Sequence, residues 1–253
     1  MASLFSKDQG SGPTLIFLHG FCETHKIWTD FTHPFADSFR VISPDLPGFG
    51  NSEMLQPPFT IDQVGESVAN LLIQNEINGA VIIGHSLGGY VGLSLLQNYP
   101  QLVQGLVLFH SSVFADAPEK KENRNKIIEF VKKNGVQPFI DTFVPGLFFS
   151  KENDGIKQLH DIASTTTKDV LVNYTIAMRD RPDRSSVWSE SAIPKLLIAG
   201  KEDTSVPIEL SRKMSITGRN LKVLELNETA HMGFFEAKSE CELIIKRFTY
   251  ELF

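Results

Sequence analysis

Cysteine is scarce in this chain of 253 residues, and none of its apolar runs is long. The two cysteines, Cys22 and Cys241, do not suggest a disulfide scaffold and are typical of a reducing compartment. Apolar runs such as residues 105–109 are far shorter than the roughly 20 residues of a membrane-spanning helix. Residues 1–7 lack the basic start and apolar core of a secretory signal peptide. We therefore expect a cytoplasmic protein without a membrane partner.

The chain also lacks an excess of positive charge and a set of residues spaced as metal ligands. The formal net charge is −6, which is unfavourable for binding the phosphate backbone of nucleic acid. His25 and His33 have no cysteine or carboxylate at ligand spacing. The glycine-rich stretch at residues 84–89 lacks the lysine of a phosphate-binding loop. We therefore expect no nucleic-acid partner, no metal and no cofactor.

Short apolar runs bounded by glycine or proline recur along the chain, and amphipathic stretches separate most of them. Such runs predict strands buried on both faces, as in a parallel sheet. The predicted strands are residues 14–18, 40–43, 80–83, 106–109, 195–199 and 221–226. The predicted helices between and after them are residues 61–77, 87–98, 206–217 and 238–253. This alternation indicates the α/β class, with a mostly parallel sheet and helices on both of its faces.

Residues 113–190 break that alternation, because they contain no convincing strand. Four stretches look helical instead: residues 118–134, 136–149, 152–163 and 168–181. A structureless loop of this length would be implausible in a compact domain. We therefore expect a core formed by residues 1–112 and 191–253, with a helical cap at 113–190 inserted after the strand near residues 105–110.

Residues 84–89, Gly-His-Ser-Leu-Gly-Gly, follow a predicted strand and open a predicted helix. A nucleophile elbow requires this context, because its turn is so tight that the positions of Gly84 and Gly88 leave no room for side chains. The turn lifts the Ser86 hydroxyl clear of the backbone at the positive end of a helix. We therefore predict that Ser86 is a catalytic nucleophile.

A serine nucleophile needs a base and an acid that orients the base. His231 follows the last predicted strand and is the candidate base. For His25, His33, His110 and His160 we expect no comparable position after a strand. Asp203 follows the strand at residues 195–199 and is the candidate acid. Glu202 is the immediate alternative, and Asp116 is the next candidate if neither of them matters.

His19-Gly20-Phe21 closes the first predicted strand. Acyl transfer needs backbone N–H groups directed at the developing oxyanion, and we predict that Phe21 and Leu87 supply them. Gly20 lets the backbone approach closely. We interpret His19 and the turn at residues 45–52 as structural.

Together these motifs resemble the α/β-hydrolase superfamily in their order and spacing. Residues 178–184 and Ile193-Pro194 are similar to a small bacterial branch that includes enol-lactonases, carboxylesterases and cofactor-free haloperoxidase relatives. The resemblance implies a serine hydrolase that cleaves an ester or lactone through an acyl-enzyme, with Ser86, Asp203 and His231 as its triad. Two alternatives stay open: C–C bond hydrolysis or elimination with the same triad, and a ligand-binding protein that kept the fold.

The resemblance also bears on the N-terminus and on the pocket. Too few residues precede Thr14 for the usual pair of leading strands, so we expect residues 4–7 to supply one short strand and the first family strand to be missing. We expect the charged runs at residues 119–124 and 132–133 to face solvent. The cap would then cover an apolar pocket, lined by Phe143 and Phe148, that favours a small, uncharged, largely apolar substrate.

Overall fold

A seven-stranded sheet forms the centre of the computed structural model, which describes residues 2–253. The strands lie in the order β1-β3-β2-β4-β5-β6-β7, and every neighbouring pair is parallel except β1 with β3. Their bounds are β1 Ser6–Gln9, β2 Thr14–Leu18, β3 Arg40–Pro44, β4 Ala80–His85, β5 Val103–Phe109, β6 Lys195–Gly200 and β7 Leu221–Leu226. The predicted α/β class with a mostly parallel sheet is therefore confirmed.

Helices cover both faces of this sheet. The α-helices are α1 Thr29–Thr32, α2 Ile61–Gln74, α3 Leu87–Asn98, α4 Pro118–Asn134, α5 Gln137–Gly146, α6 Gly155–Ala163, α7 Lys168–Arg179, α8 Ser185–Glu190, α9 Ile208–Thr217, α10 Gly233–Glu236 and α11 Lys238–Tyr250. Three 3₁₀ turns lie at His25–Trp28, His33–Phe35 and Pro100–Leu102. No helix among residues 2–253 combines the length and apolar character needed to cross a membrane.

Successive side chains of a strand point to opposite faces, and β2 divides its residues between two apolar clusters accordingly. Leu15 and Phe17 join the cluster that includes α1 and α11, whereas Ile16 and Leu18 join the cluster that includes α2 and α3. All five residues of β2 are buried because both faces are covered. The edge strand β7 differs from the prediction: only Leu226 is fully buried.

Five helices, α4 to α8, lie between β5 and β6, and we call residues 113–190 the helical insertion. The predicted helices at 118–134, 136–149, 152–163 and 168–181 correspond to α4 to α7, with ends displaced by up to three residues. The short helix α8 was not predicted. Within the insertion, α4 packs on α7 and α5 packs on α6.

One strand, β1, precedes Thr14 in the part of the chain that the structure describes. It was expected at residues 4–7 and occupies Ser6–Gln9, where it pairs antiparallel with β3. The parallel strands all open on the same sheet edge, and their carboxyl ends position the candidate site.

Candidate active site

Ser86 lies between β4 and α3 in a backbone conformation that L-residues rarely adopt, with φ 48° and ψ −110°. A side chain at Gly84 would collide with the Gly88 backbone, and one at Gly88 would collide with the Leu18 carbonyl. Hydrogen bonds hold the turn in place: the Ser86 N–H donates to the Phe109 carbonyl at 2.9 Å. The surrounding structure therefore imposes the strained conformation, as at many functional turns.

Asp203 follows β6, and His231 lies between β7 and α10. The His231 Nδ1 is 2.7 Å from Asp203 Oδ2, and both residues are buried. The other carboxylate oxygen, Oδ1, accepts the N–H groups of Ser205 at 2.8 Å and Val206 at 2.9 Å. Burial alone would raise the pKa of Asp203, but His231 and the hydrogen bonds from His110 and His231 hold it well below its usual range.

A cavity of about 480 Å³ opens beside these groups, and Ser86 and His231 both line it. Phe21 contributes to the same wall, next to Gly20. Leu87 is the first residue of α3, so its N–H has no partner within the helix. The structure thus brings three features to one edge of the sheet: the strained Ser86, the imidazole of His231 hydrogen-bonded to the Asp203 carboxylate, and two candidate oxyanion donors.

Comparison with known proteins identifies the family of this chain. Residues 13–140, about half of the chain, match the sequence profile of the alpha/beta hydrolase fold. The chain belongs to the α/β-hydrolase family. It is 30% identical over 238 residues to the dihydrolipoyllysine-residue acetyltransferase component of the acetoin cleaving system of Pseudomonas putida. That alignment covers 90% of this chain, which spans only 61% of the relative's length.

Two further relatives match this α/β-hydrolase over almost its whole length. The 3-oxoadipate enol-lactonase 2 of Acinetobacter baylyi is 25% identical over 248 residues, which cover 95% of this chain and 91% of the relative. The solved structure of a thermophilic esterase from Thermogutta terrifontis superposes with a TM-score of 0.92 at 25% identity, covering 98% of this chain and 93% of that one.

His110 is a site residue that sequence reasoning missed. It directly follows β5, and its Nδ1 is 3.3 Å from Asp203 Oδ2. The N–H groups of Gly233 and Gly200 lie 3.2 Å from its Nε2 and Nδ1, respectively, so each ring nitrogen also faces a backbone donor. Burial lowers the pKa of His110 to about 4, which keeps the ring neutral. The position after β5 was the available signal, since the same criterion identified His231.

The side chains of His110, Asp203 and His231 bring potential ligand atoms within 4.8 Å of one another. This is close enough for a shared metal ion. The contacts of both imidazoles with the Asp203 carboxylate explain why these three side chains lie close together without a metal ion. Glu202 is exposed, and Asp116 pairs instead with Arg124 and with Arg181, the latter at 2.7 Å.

The two phenylalanines predicted for the pocket lie in different places. Phe143 lines the cavity of the α/β-hydrolase. Phe148 is 1% exposed, lies outside the cavity lining and packs on Phe235, with the ring centroids 5.8 Å apart. It follows the end of α5, where the direction of the side chain depends on the chain turn rather than on helical spacing.

Helix α4 presents charge to the cavity, contrary to the expectation that residues 119–124 face solvent. Lys120, Arg124 and Ile127 line it, because residues four and three positions apart lie on one helix face. The Lys120 ammonium donates to the Ser205 carbonyl at 2.9 Å. None of the described lining residues is acidic. The wall formed by α4 is therefore cationic.

Proposed function

We propose that this α/β-hydrolase cleaves a carboxylic ester or lactone through an acyl-enzyme on Ser86. The main support is that the strained serine and the bonded His231–Asp203 pair face a single cavity. The similarity to an esterase and to an enol-lactonase favours the same chemistry.

In this mechanism the Ser86 hydroxyl attacks the carbonyl carbon while His231 Nε2 takes its proton. Nε2 is the nitrogen available for this step, because Nδ1 bonds to Asp203. The carboxylate stabilises the imidazolium that forms, and the N–H groups of Phe21 and Leu87 bind the oxyanion. The imidazolium then protonates the leaving alkoxide. In the second half-reaction His231 deprotonates a water molecule, which attacks the acyl carbon. The imidazolium then returns the proton to the Ser86 oxygen as the acid is released.

The helical insertion at 113–190 acts in this proposal as a cap over a core of residues 1–112 and 191–253. Cavity-lining residues come from both parts: Phe143 and Met178 from the insertion, and Thr204 and Leu210 from the segment after β6. A pocket formed between them displaces bulk water from around the reacting carbonyl, which strengthens the electrostatic stabilisation of the oxyanion, and it leaves room for the one water molecule that deacylation consumes.

The substrate in this proposal is small and largely apolar, but it carries an acidic group. Aromatic and aliphatic side chains such as Phe143 and Ile127 provide most of the contact surface. Lys120 and Arg124 add positive charge. Arg124 and Arg181 share one carboxylate, that of Asp116, so the pair of guanidinium groups keeps a net positive charge. We therefore replace the expected preference for uncharged groups by a preference for an anionic one.

Two further parts of the proposal concern the setting. Both cysteines are free and buried, which is consistent with a reducing compartment, and we propose a cytoplasmic location. The partner is a small-molecule substrate rather than nucleic acid, given the net charge of −6.

The test is a panel of p-nitrophenyl esters and lactones of increasing acyl size, measured with the wild type and Ser86→Ala. We expect turnover of small esters or lactones that the variant lacks. Turnover that survives in Ser86→Ala would rule out the proposed nucleophile. A protein that binds the panel without hydrolysing any member would favour a binding role.

A further inference from the structure

Two buried ionisable residues lie behind the candidate site, and the proposed mechanism does not use them. Glu23 is 1% exposed and His85 is 0% exposed, although they are 62 positions apart in the chain. The Nδ1 of His85 is 3.1 Å from the Glu23 carboxylate. Its Nε2 is 3.0 Å from the backbone carbonyl of His231.

Both ring nitrogens of His85 therefore face oxygen atoms that accept hydrogen bonds. A neutral imidazole has only one N–H, so it cannot donate to both partners. An imidazolium satisfies both, and the Glu23 carboxylate balances its charge. Burial would lower the pKa of His85, but the charge and hydrogen bond of Glu23 raise it above its usual value. Burial likewise opposes ionisation of Glu23, yet His85 and the Gly20 N–H lower its pKa.

The neighbouring ionisable groups do not supply this balance. The charge of His19 lowers the pKa of Glu23, and the charge of Asp203 raises the pKa of His85, but each is the smallest of the causes. The rings of His110 and His231 lie 6.2 Å and 5.0 Å from the His85 ring. Asp203 Oδ2 is already 2.7 Å from His231 Nδ1 and 3.3 Å from His110 Nδ1. Glu23 is thus the carboxylate in direct contact with His85.

The pair touches three segments that the proposed mechanism needs. The Gly20 N–H donates to Glu23 Oε2 at 2.6 Å, and Gly20 directly precedes Phe21. His85 directly precedes Ser86. The carbonyl that accepts from His85 belongs to His231 itself. A side chain at Gly20 would approach His85 Nδ1 to 2.6 Å, so glycine is required for this contact.

We propose that the buried Glu23–His85 ion pair is a positioning device that fixes the oxyanion donor, the nucleophile and the base relative to one another. The inference rests on the proposed function, because the three segments matter as a unit only if the site performs acyl transfer. Ion pairs in a protein core contribute little net stability, because desolvation offsets their attraction. A stabilising role alone would therefore be a weak reason for this pair.

The first test compares Glu23→Ala with Glu23→Gln. The alanine variant removes the acceptor of the Gly20 N–H, and we expect kcat to fall about 100-fold with little change in KM, as for a small misplacement of catalytic groups. The glutamine amide can accept from Gly20 and donate to a neutral His85, which still donates to the His231 carbonyl. We therefore expect Glu23→Gln to recover most of the lost kcat.

A structural role would not produce the same pattern. We expect the affinity of an alkyl boronic acid, which mimics the tetrahedral intermediate on Ser86, to fall in Glu23→Ala in proportion to kcat/KM. Glu53→Gln is the matched control, since Glu53 accepts a backbone N–H from Ser3 at 3.1 Å, outside the cavity lining. Unchanged kcat and boronate affinity in Glu23→Ala, with only a lower Tm, would overturn the inference.

The second test needs no active enzyme. Nitrogen-15 NMR at pH ~7, just above the ordinary histidine pKa of about 6.5, should show His85 with both nitrogens protonated in the wild type. The Glu23→Gln variant should show one protonated nitrogen. A neutral His85 ring in the wild type would overturn the proposed ion pair. If Ser86→Ala keeps full activity, the proposed function fails separately, whatever the state of His85.

Discussion

Asp203→Asn should remove most of the turnover by trapping His231 in the wrong tautomer. Oδ1 of Asp203 accepts two backbone N–H groups, from Ser205 and Val206, so the carbonyl oxygen of asparagine must occupy that position. Its NH₂ group then faces His231 Nδ1, at a site where the native atoms are 2.7 Å apart. An amide NH₂ only donates, so His231 must keep its proton on Nε2. In that tautomer it cannot accept the proton of Ser86.

The size of the effect follows from the step that is lost. Removing the orienting carboxylate from such a triad lowers kcat by about 10⁴, which corresponds to ~5 kcal/mol in the activation free energy. We expect KM to change little, because Asp203 does not line the cavity. The variant keeps both backbone hydrogen bonds, so the Tm should fall only modestly.

The assay is steady-state hydrolysis of a p-nitrophenyl ester across pH, with Glu202→Gln as the matched control. Glu202 is the exposed neighbour of Asp203, and its substitution should leave kcat within about twofold of the wild type. An Asp203→Asn variant that keeps more than about a tenth of the native kcat would refute the reasoning. A larger loss in Glu202→Gln would move the acid by one position.

Three other substitutions test the pocket and the charge of the site. Phe143→Ala should raise KM and alter substrate preference with little change in Tm. Phe148→Ala should lower the free energy of unfolding in urea by about 3–5 kcal/mol, because a core aromatic side chain is removed. Equal Tm values for the two variants would contradict the placement of Phe143 in the pocket and Phe148 in the core. Lys120→Gln should lower the kcat/KM ratio between a p-nitrophenyl monoester of a dicarboxylic acid and its uncharged isostere about fivefold, while the exposed Lys121→Gln leaves that ratio unchanged. The pKa of Asp203 is depressed in the folded state, so its stabilising contribution is complete above the ordinary aspartate pKa of ~3.9 and is lost as pH falls. Asp203→Asn should therefore lose less stability than the wild type on acidification, and parallel losses would argue against a depressed pKa.

The sequence was sufficient to predict the features that depend on local constraints. The elbow around Ser86 follows from a tight turn that excludes side chains at Gly84 and Gly88. In the structure, a side chain added at either position would collide with backbone atoms. The alternation of buried strands and amphipathic helices predicted the sheet, because both are periodic patterns. The run of helices between β5 and β6 followed from the lack of strand-like segments.

Features that depend on contacts between distant segments could not be predicted in the same way. The position of His110 after a strand is visible in the sequence, but its contact with Asp203 depends on β5 and β6 being neighbours in the sheet, and the sequence does not specify that adjacency. The charge of Lys120 predicts exposure to solvent, but its face of α4 turns toward the cavity. The Glu23–His85 pair joins residues far apart in the chain, and a buried glutamate has no sequence pattern of its own.

The most direct measurement of the central claim is covalent trapping of the nucleophile. The protein is treated with a fluorophosphonate, and the modified residue is identified by mass spectrometry of peptides, with Ser86→Ala and heat-unfolded wild type as controls. We predict stoichiometric modification of Ser86 in the folded wild type and none in either control. Modification at another residue, or an unmodified Ser86 in protein that actively hydrolyses esters, would contradict the account.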